Sequence, residues 1–369
     1  MTSLRRTLLA ALLVAGAACS NRADNSAPTT AVDSGATTTA PAGGDATTTT
    51  AVPQGITFGD LPSPCGAAPE GITPAVNADE AQGSTDTIRL AVPTDQGAPA
   101  APGLNAEMYD AAVAFSKWCN EQGGISGLPL EVAAYDAKLF EVPAQIEAVC
   151  SGAFAMVGGG WAFDEQSFPR FHECGMIDIA GYTVSAAKGD SDNMVAPMPN
   201  PANVKSAGWY QWAMATHPDD MAAFGTVYGD FGVTKSVEQS YVEILDSLGA
   251  KVVVRVPHNP SGEATWTPIA QQLKNAGVKA LSFSGVPEVA AQLMKAFDEL
   301  GWKPNITLLD GGFYADVLIS RAGSSAEGTV VRTSYAMLEE ADKVKAVADY
   351  LNMMKTYNSD GKIAALGMQ

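Results

Sequence analysis

Residues 273–312 read LKNAGVKALSFSGVPEVAAQLMKAFDELGWKPNITLLDGG. A short apolar run, Ala280–Ser284, stands just after Gly277. A helical stretch, Val289–Leu300, follows and stops at Gly301. A second apolar run, Ile306–Leu309, ends at Asp310-Gly311-Gly312. Short continuous apolar runs suit strands buried on both faces. A strand, a helix and another strand in this order make the right-handed crossover of a parallel sheet. Gly277 and Gly301 fall where the helices must end, because glycine takes the left-handed C-cap conformation without steric cost.

The same alternation extends in both directions. Strand-like runs Phe224–Tyr228 and Lys251–Val256 lie upstream, with helices at about Thr234–Leu248 and Trp266–Ala276, and Thr329–Thr333 lies downstream. An earlier series runs Ile88–Val92, Leu130–Tyr135, Phe154–Val157, Met176–Ile179 and Met194–Pro197. Helices at Ala106–Asn120, Val142–Cys150 and Glu165–Glu173 separate its first four strands. The expected fold class is therefore α/β, with two doubly wound parallel-sheet lobes. Lobe 1 spans residues 64–201 and lobe 2 spans 202–334, joined near Ala202–Val204 and again near Tyr335. Residues 335–369 return to lobe 1. Open α/β sheets bind ligands at the carboxyl ends of their strands, so two facing lobes predict a cleft between them.

Composition narrows the partners. A net charge of −18 argues against a nucleic-acid surface or a polybasic membrane patch, both of which need clustered Lys and Arg. The acids are scattered, which reads as solvated surface. Setting Cys19 aside leaves Cys65, Cys119, Cys150 and Cys174, with no CxxC spacing. An even count in an oxidising compartment favours two disulfides. Cys150 ends a helix before one strand and Cys174 precedes the next; parallel neighbours would bring the two together. Cys119 is then left to hold the pre-domain segment through Cys65.

At the N-terminus Arg5 and Arg6 precede an apolar run, Thr7 to Ala15, and Gly16-Ala17-Ala18 leads to Cys19. The run is too short to span ~30 Å of hydrocarbon; it reads as a secretory signal over residues 1–18. The small residues before Cys19 resemble a bacterial lipobox, with Gly16 where Leu is preferred. That resemblance implies a diacylglyceryl-modified Cys19 at the mature N-terminus and an extracytoplasmic, lipid-anchored protein. Residues 19–63 are rich in Thr, Ala and Pro, with runs Thr37–Thr39 and Thr47–Thr50. Such a chain has no apolar face to bury, so it is expected to form a tether. About 35 residues of such coil span roughly 35 Å.

Several long blocks carry a family resemblance. IRLAVPTDQG (88–97) and NAEMYDAAVAFSKWCNEQGGISGLPLEVAAYD (105–136) resemble the opening of type I periplasmic solute-binding proteins of the branched-chain amino acid class. GTVYGDFG (225–232) resembles the first strand and loop of their second lobe. Residues 273–312 follow the family's order, and AEGTVVRTSYA (326–336) looks like the crossover back to the first lobe. The resemblance runs from about Asp86 to Ala341 and implies a two-lobed, Rossmann-like clamp serving an ABC importer. It also implies that a chain stopping at Gln369, inside the apolar Ala364-Ala365-Leu366, lacks the end of the fold.

In this family, loops of lobe 1 hold the ligand's carboxylate and an acid of lobe 2 meets its ammonium. The corresponding lobe-1 loops are Gly158-Gly159-Gly160-Trp161-Ala162-Phe163-Asp164 and Gly181-Tyr182-Thr183. Phe163 and Asp164 stand where Ser and Thr are usual, and Thr183 keeps a hydroxyl. Lobe 2 offers Tyr228, Asp230, Phe231 and Val286, and the ammonium-binding acid falls on Gly311, with Asp310 one position early. The expected ligand contacts are thus Gly160, Trp161, Ala162, Phe163, Tyr182, Thr183, Tyr228, Asp230, Phe231, Val286 and Asp310. Trp161, Tyr182 and Phe231 would be apolar walls, and the glycine-loop N–H groups and Thr183 would face an anionic end.

No GxSxG, HExxH or P-loop occurs, and Phe163 interrupts any GxGxxG reading. Asp95, Asp164 and Asp310 fall at strand ends, but nothing else in the chain requires an acid/base pair. His172, His217 and His258 lie far apart, so no metal site and no cofactor are expected. The expected protein is a non-enzymatic monomer that captures a small polar solute (an amino acid, amide or related carboxylate) for an ABC permease complex. It would meet the membrane through the lipid on Cys19. The alternative is the same clamp reporting ligand occupancy to a receptor.

Overall fold

The computed structural model describes residues 55–74, 86–99, 101–166, 168–197 and 205–368. The signal segment, Cys19, the tether as far as residue 54 and the Ala202–Val204 crossing lie outside the described residues.

A hairpin of β1 (Thr57–Phe58) and β2 (Leu61–Pro62) comes first. Lobe 1 then runs β3 (Ile88–Thr94), α1 (Ala106–Glu121), β4 (Leu130–Asp136) and α2 (Val142–Gly152). It continues through β5 (Ala155–Val157), α3 (Phe168–Glu173), β6 (Asp178–Ile179), α4 (Ala186–Gly189) and β7 (Met194–Val195). Lobe 2 opens with α5 (Gly208–Thr216), α6 (Pro218–Met221), β8 (Phe224–Gly229), α7 (Gly232–Ser247) and β9 (Val252–His258). It proceeds through α8 (Thr267–Asn275), β10 (Ala280–Ser284), α9 (Pro287–Glu299), β11 (Ile306–Leu309), α10 (Asp316–Ala322) and β12 (Thr329–Val331). Helix α11 (Lys345–Tyr357) returns to pack on α1.

The lobe sheets have the orders β4-β3-β5-β6-β7 and β12-β11-β10-β8-β9, and all their pairings are parallel. Numbered within each lobe, both orders are 2-1-3-4-5. The two halves are wound alike, and each has its switch point between its first and third strands, where open α/β sheets take ligands. The quoted segment supplies β10 and β11, in register from Ala280 opposite Ile306. Their residues are buried nearly end to end, as strands covered by helices on both faces must be.

Each face of the lobe-2 sheet has its own core. Leu281, Phe283 and Phe297 pack on one side, and Tyr210, Phe224, Tyr241 and Leu308 on the other. In lobe 1, Met156 and Phe171 centre one cluster, while Ala114, Tyr350 and Met354 join α1 to α11. The turn after α1 depends on Gly124: φ is +75°, and a β-carbon there would lie 2.0 Å from the Leu128 carbonyl oxygen. Asn120 locks the same turn, its side chain exchanging two hydrogen bonds with the Leu130 backbone.

Both expected disulfides form, Cys150–Cys174 between elements that the strand order makes neighbours. Cys150, at the end of α2, bonds Cys174 with a Cα separation of 5.8 Å, and Cys65 bonds Cys119 of α1 at 5.3 Å. The expected tether boundary at residue 63 is corrected. Residues 57–62 form the hairpin, the Gly59 N–H donates to Asp349 of α11 at 2.8 Å, and Phe58 packs edge-on against Trp118. Ile56, Phe58 and Leu61 give this stretch the apolar side chains that the preceding Thr/Ala/Pro run lacks.

Candidate functional site

The carboxyl ends of both sheets border one cavity of about 310 Å³, lined from both lobes. Lobe 1 contributes Leu139, Ala162, Phe163, Tyr182, Thr183 and Val184. Lobe 2 contributes apolar surface from Phe283, Val286 and Phe313, and a polar end made by Lys205, Tyr210, Tyr241, Asp310 and Arg332.

Two buried carboxylates hold the lobe-1 wall from behind. Asp95 accepts the Leu139 N–H at 2.8 Å on one oxygen and the Ala162 N–H at 2.7 Å on the other. Asp164 accepts from the Val184 and Ser185 N–H groups at 3.0 and 2.9 Å. Three loops are thereby fixed by two acids. Burial raises the Asp95 pKa to about 6, against the pull of its two N–H donors and with added repulsion from Asp136 and Asp164. Burial also raises Asp164, although Lys188 works against it; Lys188 in turn pairs with Asp178 at 3.0 Å.

The glycine loop serves packing. The Gly160 N–H donates to the Pro93 carbonyl at 3.0 Å. A β-carbon on Gly159 would come within 2.2 Å of that same oxygen, and one on Gly160 within 2.6 Å of the Tyr182 ring. The strand-end loops therefore lie too close for any side chain. The expectation that Gly160 offers its N–H to a ligand is corrected, because that donor is already used. Trp161 turns into the lobe-1 core, 2% exposed, donating to the Tyr135 carbonyl at 2.9 Å and stacking on Phe171. It is not a cavity wall.

In lobe 2, Tyr228 lies on β8 but off the cavity. Asp230 is exposed and pairs with Lys235 at 2.5 Å, one turn into α7, so it has no part in the lining. Phe231 closes an edge instead: its ring lies 4.0 Å from that of Phe163, centroid to centroid, and Phe140 adds a third ring at 6.1 Å. Of the expected contacts, Ala162, Phe163, Tyr182, Thr183, Val286 and Asp310 line the cavity. The Tyr182 hydroxyl accepts a hydrogen bond from Asn105 at 2.7 Å.

Asp310 is part of an ion-pair network. Its Oδ2 accepts from the Tyr241 hydroxyl at 2.6 Å and from Arg332 Nη2 at 3.0 Å. Burial works to raise its pKa, but the Arg332 charge and these donors prevail, and the carboxyl lies below its ordinary range. The Arg332 guanidinium sits 5.7 Å over the Trp209 ring. Lys205 borders the same end; burial lowers its pKa, with Asp310 opposing and Arg332 assisting. His258 stacks on Phe283, its Nδ1 2.7 Å from the Asn259 carbonyl, and burial pushes its pKa down. Sequence reasoning missed Arg332, Lys205, Tyr210 and Tyr241. Arg332 carried the one available signal, a cation immediately after a strand in a chain poor in Arg.

No metal-holding cluster of three or more His, Cys, Asp or Glu residues occurs among the described residues. Among those residues, no helix is long and apolar enough to cross a membrane.

Residues 87–368 match the family model described as periplasmic binding protein. No curated protein sequence matches the chain. Solved structures share the fold at low identity. A fatty acid ABC transporter substrate-binding protein from Thermomonospora curvata is 18% identical with a TM-score of 0.66, covering 82% of this chain and 76% of its own. A possible leucine/isoleucine/valine-binding protein from Rhodopirellula baltica SH 1 is 14% identical with a TM-score of 0.65, over 80% and 79%. A periplasmic binding protein type 1 from Bordetella pertussis Tohama I is 16% identical with a TM-score of 0.60, over 77% and 79%. With most of its length matched by the family model and with two like-wound lobes around one cavity, the chain belongs to the type I periplasmic binding proteins.

Proposed function

We propose that this protein is an extracytoplasmic solute-binding protein that closes on a small polar solute and delivers it to an ABC importer. The observation carrying this reading is the cavity, which is walled by the strand ends of both lobes. A solute touching both walls favours the closed form by its differential affinity for that form. The Phe163–Phe231 contact supports such closure, because it forms only when the lobes meet. The acids beside the cavity support a binding role: Asp95 and Asp164 have all four carboxylate oxygens engaged by backbone N–H groups, and Asp310 is paired with Arg332. The sequence around Cys19 supports lipid attachment to the cell membrane, and Cys19→Ala should release the protein from the membrane fraction.

The test is a thermal-shift panel of amino acids, amides, carboxylates and sugars, followed by importer ATPase activity in proteoliposomes. A solute at a hundred times its Kd should stabilise the fold by about 2.7 kcal/mol, and the same solute should stimulate the ATPase only with this protein present. A stabilising solute that leaves the ATPase silent would refute delivery to that importer.

A further inference from the structure

We infer that the solute is an uncharged molecule with a compact apolar body, such as a carboxamide, carrying neither a free carboxylate nor an ammonium. This deepens the binding-protein reading and rests on the cavity being the solute site. Among the described residues, Lys205, Asp310 and Arg332 are the lining side chains with an ordinary charge, and their charges already answer one another. Arg332 Nη2 lies 3.0 Å from Asp310 Oδ2, which also accepts from the Tyr241 hydroxyl at 2.6 Å. Asp310 and Asp164 both act on the Lys205 ammonium to keep it charged, against burial and Arg332. His258 also lines the cavity, and burial pushes it towards its neutral form.

A charged group on the solute would have to part Asp310 from Arg332 or stand unpaired among carbon as the lobes close. Both are costly, because a charge taken from water needs a partner of its own. The lobe-1 side supplies none: Asp95 and Asp164 stand behind the wall with every oxygen bonded to a backbone N–H. A neutral group loses far less on leaving water, and the uncharged hydroxyls of Ser282 and Ser284 are part of the lining. The body of the solute meets Leu139, Phe163, Val184, Phe283, Val286 and Phe313. At about 310 Å³ the cavity is at the small end for ligand sites, which limits that body to a short branched chain or a single ring.

The experiment uses two matched sets with constant bodies: 4-methylpentanamide, 4-methylpentanoate, 4-methylpentylamine and leucine; phenylacetamide, phenylacetate, phenethylamine and phenylalanine. Binding to the whole protein is read near neutral pH by calorimetry and by tryptophan fluorescence. The amide should bind best in each set, with its charged relatives weaker by roughly tenfold or more. Asp310→Asn keeps the side chain's shape but removes the counterpart of Arg332, so the carboxylate should gain about tenfold on the amide. Arg332→Gln leaves Asp310 without its cation, and the amine should gain instead. Urea unfolding checks that each variant is folded, and the ranking in the native protein decides the inference where a variant is not.

A carboxylate, amine or amino acid binding more tightly than the amide of its set overturns the inference and leaves the binding-protein reading standing. So do folded Asp310→Asn and Arg332→Gln proteins that keep the native ranking and spacing of affinities, because matched charges would then not set the preference. Silence from all eight compounds, with a hit elsewhere in the wider panel, also overturns this inference alone. Silence across that whole panel from folded protein refutes both readings.

Discussion

Replacing Asp95 by asparagine tests how the lobe-1 wall is held. Asp95 is fully buried, and its pKa stands at about 6 against the ordinary 3.8. That displacement of about two units corresponds to ~3 kcal/mol between the two protonation states. The folded state therefore prefers the protonated acid. The contribution to stability is fullest below the unfolded pKa and is lost as pH rises through about 6. About 2 kcal/mol of that loss falls between about pH 4.5 and about pH 7.5. The amide in Asp95→Asn does not titrate, so subtracting the variant's stability from that of the native protein cancels most other acids and isolates this group. The substitution also turns an amide N–H towards either Leu139 or Ala162, a pH-independent cost of ~1–3 kcal/mol. Urea unfolding followed by tryptophan fluorescence should show the advantage of the native protein shrinking by about 2 kcal/mol as pH rises over that range. A difference that stays flat, or grows with pH, would show that the N–H donors outweigh burial and that the sign is wrong.

Three further outcomes are expected. Gly160→Ala should lower stability by roughly 1–3 kcal/mol in chemical denaturation, because its β-carbon meets the Tyr182 ring at 2.6 Å; an unchanged midpoint would mean that the ring can move aside. Replacing Cys150 and Cys174 together by serine frees a span of 24 residues and should cost about 3 kcal/mol, seen as a lower denaturant midpoint. Phe231→Ala removes a ring lying 4.0 Å from Phe163 and should weaken solute binding about tenfold through loss of the closed form. Small-angle scattering should then show a larger radius of gyration at equal unfolding midpoint.

The strands and helices were legible because a doubly covered parallel sheet writes itself as short apolar runs, such as Phe224–Tyr228, punctuated by glycines at helix ends. The Cys150–Cys174 bond was legible for the same reason, since the strand order makes those two elements neighbours, and Cys65–Cys119 was the pair left over. The site was less so. Gly158–Gly160 read as an anion cradle because glycines permit close approach, but sequence does not say what approaches; here it is Pro93 and Tyr182. Trp161 faces the core and Phe163 the cleft, two positions apart in a loop with no fixed period. Asp310 was noticed as an acid at a strand end, but its role depends on Arg332, 22 residues on and just past the next strand. Lys205 stands next to a crossing between the lobes, and no local pattern marks it.

The Cys65–Cys119 bond and the β1–β2 hairpin have a mechanical meaning. Both fasten the N-terminal segment to lobe 1, one covalently to α1 and the other by Gly59 on α11. A pull arriving from the N-terminal side is delivered to that half through a bond that cannot slip. Under the proposed attachment through Cys19 and closure on a solute, lobe 1 would be the grounded part of the clamp and lobe 2 the arm that swings. Drag or tension on the chain's start would displace the whole clamp without prising it open.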